Sequence, residues 1–189
     1  NNMLFMQNLC NQLIMDKKNV AIFSWSQKIK DKLLANQVQS DLKKFFESNK
    51  ERINKILYWA WTSWVMWTVL ETAQNVWITI EWYSIERYRK YDEWNWINTT
   101  FYEDDDVRIK EFTKSGDVFL ALPWAKGTIK EVLWVSDNIL ESWENKTIFV
   151  PSTFIALFNL FTDLKAQWMM YPDDMKVIKT IDQLGNLRI

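Results

Sequence analysis

Histidine is absent from the chain, and that absence limits the chemistry the other residues can perform. A Ser-His-Asp or Cys-His catalytic unit cannot be assembled. Zinc and copper sites, which rest on His and Cys, lose their usual ligands. Any reaction must run on carboxylates, arginine, lysine, hydroxyls and backbone. Two stretches draw attention. Leu122–Glu131, "LPWAKGTIKE", sets Gly127, Thr128 and Glu131 within five residues, and Tyr58–Trp67, "YWAWTSWVMW", holds four tryptophans in ten.

Tryptophan and glycine counts are abnormal together. The chain has 13 Trp and 3 Gly, whereas a usual glycine content of about 7% gives roughly 13 in a chain this long. The glycine deficit and the tryptophan surplus are of similar size. A strand-to-helix turn that holds a phosphate needs inward-pointing backbone N–H groups and no Cβ atoms in the way. Glycine suits that task and tryptophan is about the worst replacement. With glycine written for tryptophan, the segments beginning at Phe23, Tyr58 and Leu122 become "FSGSQ", "YGAGTSGVMGTVLETA" and "LPGAKGTIKE". All three then read as phosphate-cradling loops.

The elements around these turns must position them. Apolar runs predict strands at 19–24, 55–58, 76–82, 96–102, 117–123 and 146–151. Helical spacing predicts helices at 36–50, 65–75, 104–116, 127–140 and 152–167. The fourth strand-helix step carries an acidic start and a glycine stop, and Ser152 or Thr153 is a plausible N-cap for the last helix. Strands alternating with helices imply βαβ units. The fold class is therefore α/β, a Rossmann-like, doubly wound, mostly parallel sheet with helices on both faces. Residues 19–189 form one domain, and 1–18 form an amphipathic helical extension with Leu4, Phe5, Leu9, Leu13 and Ile14 on its apolar side. In such folds ligands bind beyond the carboxyl ends of the strands, where the three tryptophan-bearing turns fall.

These residues resemble the LOG family, the nucleoside-monophosphate phosphoribohydrolases often mislabelled lysine decarboxylases. That family carries a YGGGxxGLMG-like segment and a PGGxGTxxE motif. Tyr58–Trp67 matches the first in spacing, with Trp59, Trp61, Trp64 and Trp67 at four of five glycine positions and Ala60 at the fifth. Pro123–Glu131 matches the second, with Pro123, Gly127, Thr128 and Glu131 intact and Trp124 at a glycine position. Arg108 lies fifteen residues before Pro123, where the family has its helix arginine. Ile109 replaces the lysine that usually follows it, and "NKTIFVPSTF" matches the family only loosely. The resemblance covers roughly 19–168.

The resemblance implies hydrolysis of the N-glycosidic bond of a nucleoside 5′-monophosphate (AMP or a cytokinin-type nucleotide), releasing free base and ribose 5-phosphate. It implies no cofactor and no metal. Glu131 then stabilises oxocarbenium character and activates water; as a bare Glu near a helix start it would only match the helix dipole. Thr128 and Gly127 meet the 5′-phosphate, a role compatible with Thr128 serving as a helix cap. Arg108 pairs with phosphate or orients substrate, or is a solvated arginine paired with Asp104 or Glu111. Trp59, Trp61, Trp64 and Trp124 mark phosphate-loop positions, and Ser24 and Ser26 border the nucleotide. The "EDDD" run at 103–106 reads as an acidic helix start in preference to a metal site. A homodimer is implied, for which "FIALFNLF" at 154–161 offers apolar surface. The competing class is a non-catalytic nucleotide- or cofactor-binding module, and a third is an inactive structural relative whose tryptophans are genuine.

A net charge of −1 and a pI near 5.6 give no basic face for nucleic acid. The segment around Cys10 is too polar for a membrane span, and one cysteine favours a reducing, cytoplasmic setting. A tryptophan stacking platform needs aromatics on one exposed face; here they cluster in turns at glycine spacing, while Trp134 suits a core. The pattern fits a gene from a lineage that reads UGA as glycine, translated with a table that reads UGA as tryptophan. The codons at 59, 61, 64, 67 and 124 are then all UGA. UGG at those positions, read directly from the gene, sinks the idea.

Overall fold

The computed structural model describes residues 17–24, 31–59, 64–91, 97–123, 126–167 and 172–189, with backbone alone at 64–66, 91, 126, 172 and 174–175. Strands β1 (Lys18–Phe23), β2 (Ile53–Trp59), β3 (Thr79–Ile85), β4 (Asn98–Tyr102), β5 (Val118–Ala121), β6 (Thr147–Pro151) and β7 (Ile178–Ile181) form one sheet in the order β4-β3-β2-β1-β5-β6-β7. Every pairing is parallel. Helices α1 (Lys32–Asn49), α2 (Trp64–Asn75), α3 (Asp105–Ser115), α4 (Lys126–Ser142), α5 (Ile155–Ala166) and α6 (Pro172–Val177) connect them. The expected α/β class holds. The expected N-terminal helix lies outside the described residues.

Alternation along β1 builds the two layers, because successive side chains point to opposite faces. Val20 and Ile22 join Leu42, Phe45 and Phe46 of α1 and Val69 of α2 in one core. Ala21 and Phe23 join Phe112 of α3, Val132 and Val135 of α4 and Leu157 of α5 in the other. Strands buried on both faces read as continuous apolar runs, which is why β1, β2 and β5 were visible in the sequence.

Element boundaries differ from expectation where local chemistry intervenes. The strand expected at 76–82 runs Thr79–Ile85, because α2 closes through a turn over Val76–Ile78. The last predicted helix starts at Ile155, not 152. Its cap position is Phe154, which makes no side-chain cap bond. Ser152 is instead tied to the chain beside it: its hydroxyl donates to Asp182 O, and its N–H to Ile181 O at 2.9 Å. Residues 172–181 carry α6 and the edge strand β7, beyond the last element the sequence pattern predicts.

Helix α3 sets the position of Arg108. Asp104 caps its start, accepting from Val107 N–H at 2.9 Å, while Asp105 and Asp106 complement the helix dipole. Lys146 Nζ donates to Thr113 O at 2.8 Å and Lys114 O at 3.0 Å at the far end, a favourable place for a cation. Gly116 ends the helix as expected, but its φ of −85° is open to any residue. Packing demands glycine: an added Cβ would meet the Phe119 ring at 2.8 Å and Ala21 Cβ at 3.0 Å. Gly116→Ala is expected to destabilise the fold by about 1–3 kcal/mol through overpacking. Urea unfolding measures it, and an unchanged midpoint would contradict this account.

Candidate functional site

Strand order reverses beside β1. Its neighbours are β2 on one side and β5 on the other, with Ile22 opposite Tyr58 and Phe23 opposite Ala121. Leu122 N–H donates to Phe23 O at 3.0 Å, so the two carboxyl ends stay paired up to the last residue before the turns. Chains that leave adjacent strands toward opposite faces open a crevice between them. Ser24 leaves β1 here, Tyr58 and Trp59 end β2, and Pro123 leads from β5 into α4.

Ser24 and Tyr58 share a short hydrogen bond between hydroxyls, both buried. Burial pushes the Tyr58 phenol well above its ordinary pKa, the Ser24 bond opposes this, and the Glu131 charge adds to it. Tyr58 thus stays neutral and lies within the field of Glu131. Sequence reasoning placed Tyr58 in the motif without giving it a role; its only signal was position at the head of "YWAW".

Helix α4 starts at Lys126, one residue before the expected start, and this changes two assignments. Thr128 is the third helical residue and so is not a cap. Glu131 is the sixth, one turn further along than a first-turn position. Thr128 is fully buried, and its Oγ1 has no hydrogen-bond partner. Glu131 Oε2 is likewise enclosed without a partner. Burial pushes the Glu131 carboxyl up to about 8, with Arg108 and Lys130 pulling the other way and Asp105 adding to the rise. Gly127 precedes them as a half-buried helical residue.

Arg108 comes from α3. Its partner is Asp105, at 2.5 Å, and not Asp104 or Glu111 as expected. Asp104 is committed to the helix cap, which leaves the next carboxylate along the helix for the guanidinium. Arg87 also reaches Asp105, at 3.3 Å, a link the sequence did not signal. Burial lowers the Arg108 pKa, while Asp105 and Glu131 raise it. Arg108 Nε is buried without a partner.

Trp59 closes this group. It is 6% exposed, and the Arg108 guanidinium carbon sits 4.0 Å from its ring centroid, a cation–π contact. Phe112 lies at 5.6 Å and Phe23 at 6.3 Å from the same ring system, and the indole Nε1 has no partner. Buried polar side chains in native proteins are nearly always satisfied. Here Thr128 Oγ1, Glu131 Oε2, Arg108 Nε and Trp59 Nε1 are all unsatisfied, and they come from three elements, α4, α3 and β2, around one crevice. An anion meeting Arg108 would need the volume that the indole fills.

The structure therefore brings together Glu131, Arg108, Thr128, Gly127, Ser24 and Trp59. Trp61, Trp124 and Ser26 lie outside the described residues, and for Trp64 only the helical backbone at the start of α2 is described. Trp67 is on the second turn of that helix, largely exposed. Trp134 is half-buried against the core with Lys130 over its ring at 4.9 Å. Among the described residues, no group of three or more His, Cys, Asp or Glu is placed to hold a metal ion. Among them, too, no helix is long and apolar enough to cross a membrane.

Fold and site together define a Rossmann-like α/β protein with Arg108, Thr128, Glu131 and Trp59 enclosed near the switch point of a parallel sheet. No family model and no curated protein matches the chain. Solved structures of the same fold do exist. The molybdenum cofactor binding protein from the phototrophic bacterium Rippkaea orientalis aligns with a TM-score of 0.65 at 13% identity, over 91% of this chain and 93% of that one. The molybdenum cofactor carrier protein from Chlamydomonas reinhardtii aligns with a TM-score of 0.58 at 14% identity, over 89% and 92%. At these identities the likeness establishes the fold.

The Glu131 carboxyl yields a stability prediction. Its folded pKa, about 8, lies above the ordinary 4.5, so the folded state holds the proton more tightly than the unfolded chain. The protonated carboxyl is therefore tolerated at low pH, and stability falls as pH rises from about 4.5 through about 8. Glu131→Gln removes this loss. The variant is expected to exceed the parent by on the order of 5 kcal/mol above the upper pKa and to converge with it in acid. Denaturation across pH measures this; parallel curves would contradict it.

Proposed function

We propose that the protein is a nucleoside 5′-monophosphate phosphoribohydrolase, which cleaves the N-glycosidic bond of AMP or a cytokinin-type nucleotide to free base and ribose 5-phosphate. The observation that carries this reading is the convergence of Glu131, Arg108 and Thr128 as buried groups without full hydrogen bonding at the switch point. The motif spacing around them supports it.

In this reading the phosphate is held by Thr128, the Gly127 backbone and Arg108 at the start of α4, where the helix dipole favours negative charge. Glu131 then sits one turn along the helix, beside the ribose. As the bond to the base lengthens, positive character grows on the sugar, and the ionised carboxylate stabilises it. The same carboxylate accepts a proton from the attacking water, whose oxygen forms the new bond to the anomeric carbon as the base departs with the glycosidic electron pair. That proton then passes on to the base, through solvent if need be. Arg108 favours the charged form of Glu131, and burial opposes it. Activity therefore rises with pH through about 8. Trp59 covers Arg108 in the chain as written, so activity requires a small residue at 59. The family resemblance carries a homodimer with it, to which the exposed Ile155, at 67%, offers apolar surface.

A second reading, a nucleotide- or cofactor-binding module without catalysis, is favoured by the two solved structures, both described as binding or carrying the molybdenum cofactor. The same buried Arg108 and Thr128 suit the phosphate of either kind of ligand. Chain carrying glycine at 59, 61, 64, 67 and 124 separates the readings. It is expected to release adenine from AMP, with Glu131→Gln lowering the rate roughly 10²–10⁴-fold while still binding AMP. Arg108→Ala is expected to weaken AMP binding tenfold or so. Binding of AMP or molybdenum cofactor without adenine release would favour the module, and neither binding nor release would leave a structural relative.

A further inference from the structure

Two described residues other than glycine have positive φ, and both are tryptophans: Trp77 at 62° and Trp143 at 57°. Each follows a helix. After α2, Ile78 N–H donates to Ala73 O at 3.0 Å and Trp77 N–H to Gln74 O at 3.0 Å. This is the paired six-to-one and five-to-two pattern of a Schellman helix end, with Trp77 at its left-handed position. Ile78 and Ala73 also meet in the same apolar core, the contact that usually accompanies the motif. After α4, Trp143 N–H donates to Leu140 O at 3.4 Å, the five-to-two bond of the same ending.

Glycine is the usual residue at this position because it carries no Cβ. An L-residue there is disfavoured by roughly five- to thirtyfold. Burial does not offset that strain, since both indoles are 94% exposed. The glycines that are written show the reverse. None of those described has positive φ, so left-handed positions are held by tryptophan and glycines occupy ordinary backbone.

Both positions also lie where helices hand the chain to the amino ends of strands, opposite the crevice. No requirement of the phosphate turns reaches them. A stacking or docking role would call for indoles gathered on one face, whereas these are dictated by backbone at the ends of two different helices. We infer that residues 77 and 143 are glycine in the natural protein, and that their tryptophans arise from the same decoding of one codon as those at the phosphate turns.

The inference stands apart from the proposed activity and survives its failure. The codons at 77 and 143 are expected to be UGA, matching those at 59, 61, 64, 67 and 124. Trp77→Gly and Trp143→Gly, made singly in the chain as written, are each expected to raise the folding equilibrium constant roughly five- to thirtyfold. Trp82→Gly, in the buried middle of the sheet, is expected to lower it and controls for the general effect of glycine. UGG at either position overturns the inference, as does a folding constant that either helix-end substitution leaves unchanged or lowers.

Discussion

The pairing of β1 with β2 on one side and β5 on the other is the constraint on which the rest depends. A parallel strand needs a crossover to each neighbour, and crossovers in the same hand put α1 and α2 on one face and α4 on the other. The Phe23–Ala121 register and the Leu122–Phe23 hydrogen bond hold the two carboxyl ends level. Ser24 and Pro123 then leave the sheet beside Tyr58 and Trp59 at the end of β2. Arg108 arrives because α3 is the connection that carries the chain from the β4 edge back to the centre. The site is thus a by-product of strand order, furnished with side chains by four separate segments.

Those side chains carry a tension that packing alone would not choose. A carboxyl, a guanidinium nitrogen and a hydroxyl are enclosed together with incomplete hydrogen bonding, which is costly away from water. Asp105 relieves part of it by pairing with Arg108, and the Trp59 ring covers the guanidinium face. Strained or unsatisfied groups concentrate where structure is arranged for a ligand. The apolar cores on either side of the sheet hold these side chains in place.

Much of this was legible in the sequence, for physical reasons that differ by element. Strands β1, β2 and β5 are buried on both faces and announce themselves as apolar runs. Helix α3 announced its start through Asp104 and its end through Gly116, although the glycine proved to serve Phe119 and not a left-handed turn. Glu131, Arg108 and Thr128 were found through motif spacing, which survives the loss of the glycines around them. What stayed hidden depends on contacts across the fold. The Asp105 partnership follows from Asp104 being committed to the cap, the Arg87 link joins distant segments, and Ser152 is drawn to the β7 end. The 76–82 strand was misplaced because β-prone Val76 and Trp77 sit in a helix ending closed by local backbone bonds, Ile78 N–H to Ala73 O and Trp77 N–H to Gln74 O.

Trp59 has a practical consequence for any laboratory that expresses the chain as written. Its indole fills the crevice, stacks on Arg108 and packs against Phe23 and Phe112, so the chain carries a built-in plug made from its own backbone neighbour. Such a protein can be abundant, well folded and inert at once. Good yield and a sharp melting transition would then say nothing about whether the Arg108 guanidinium is open to a ligand.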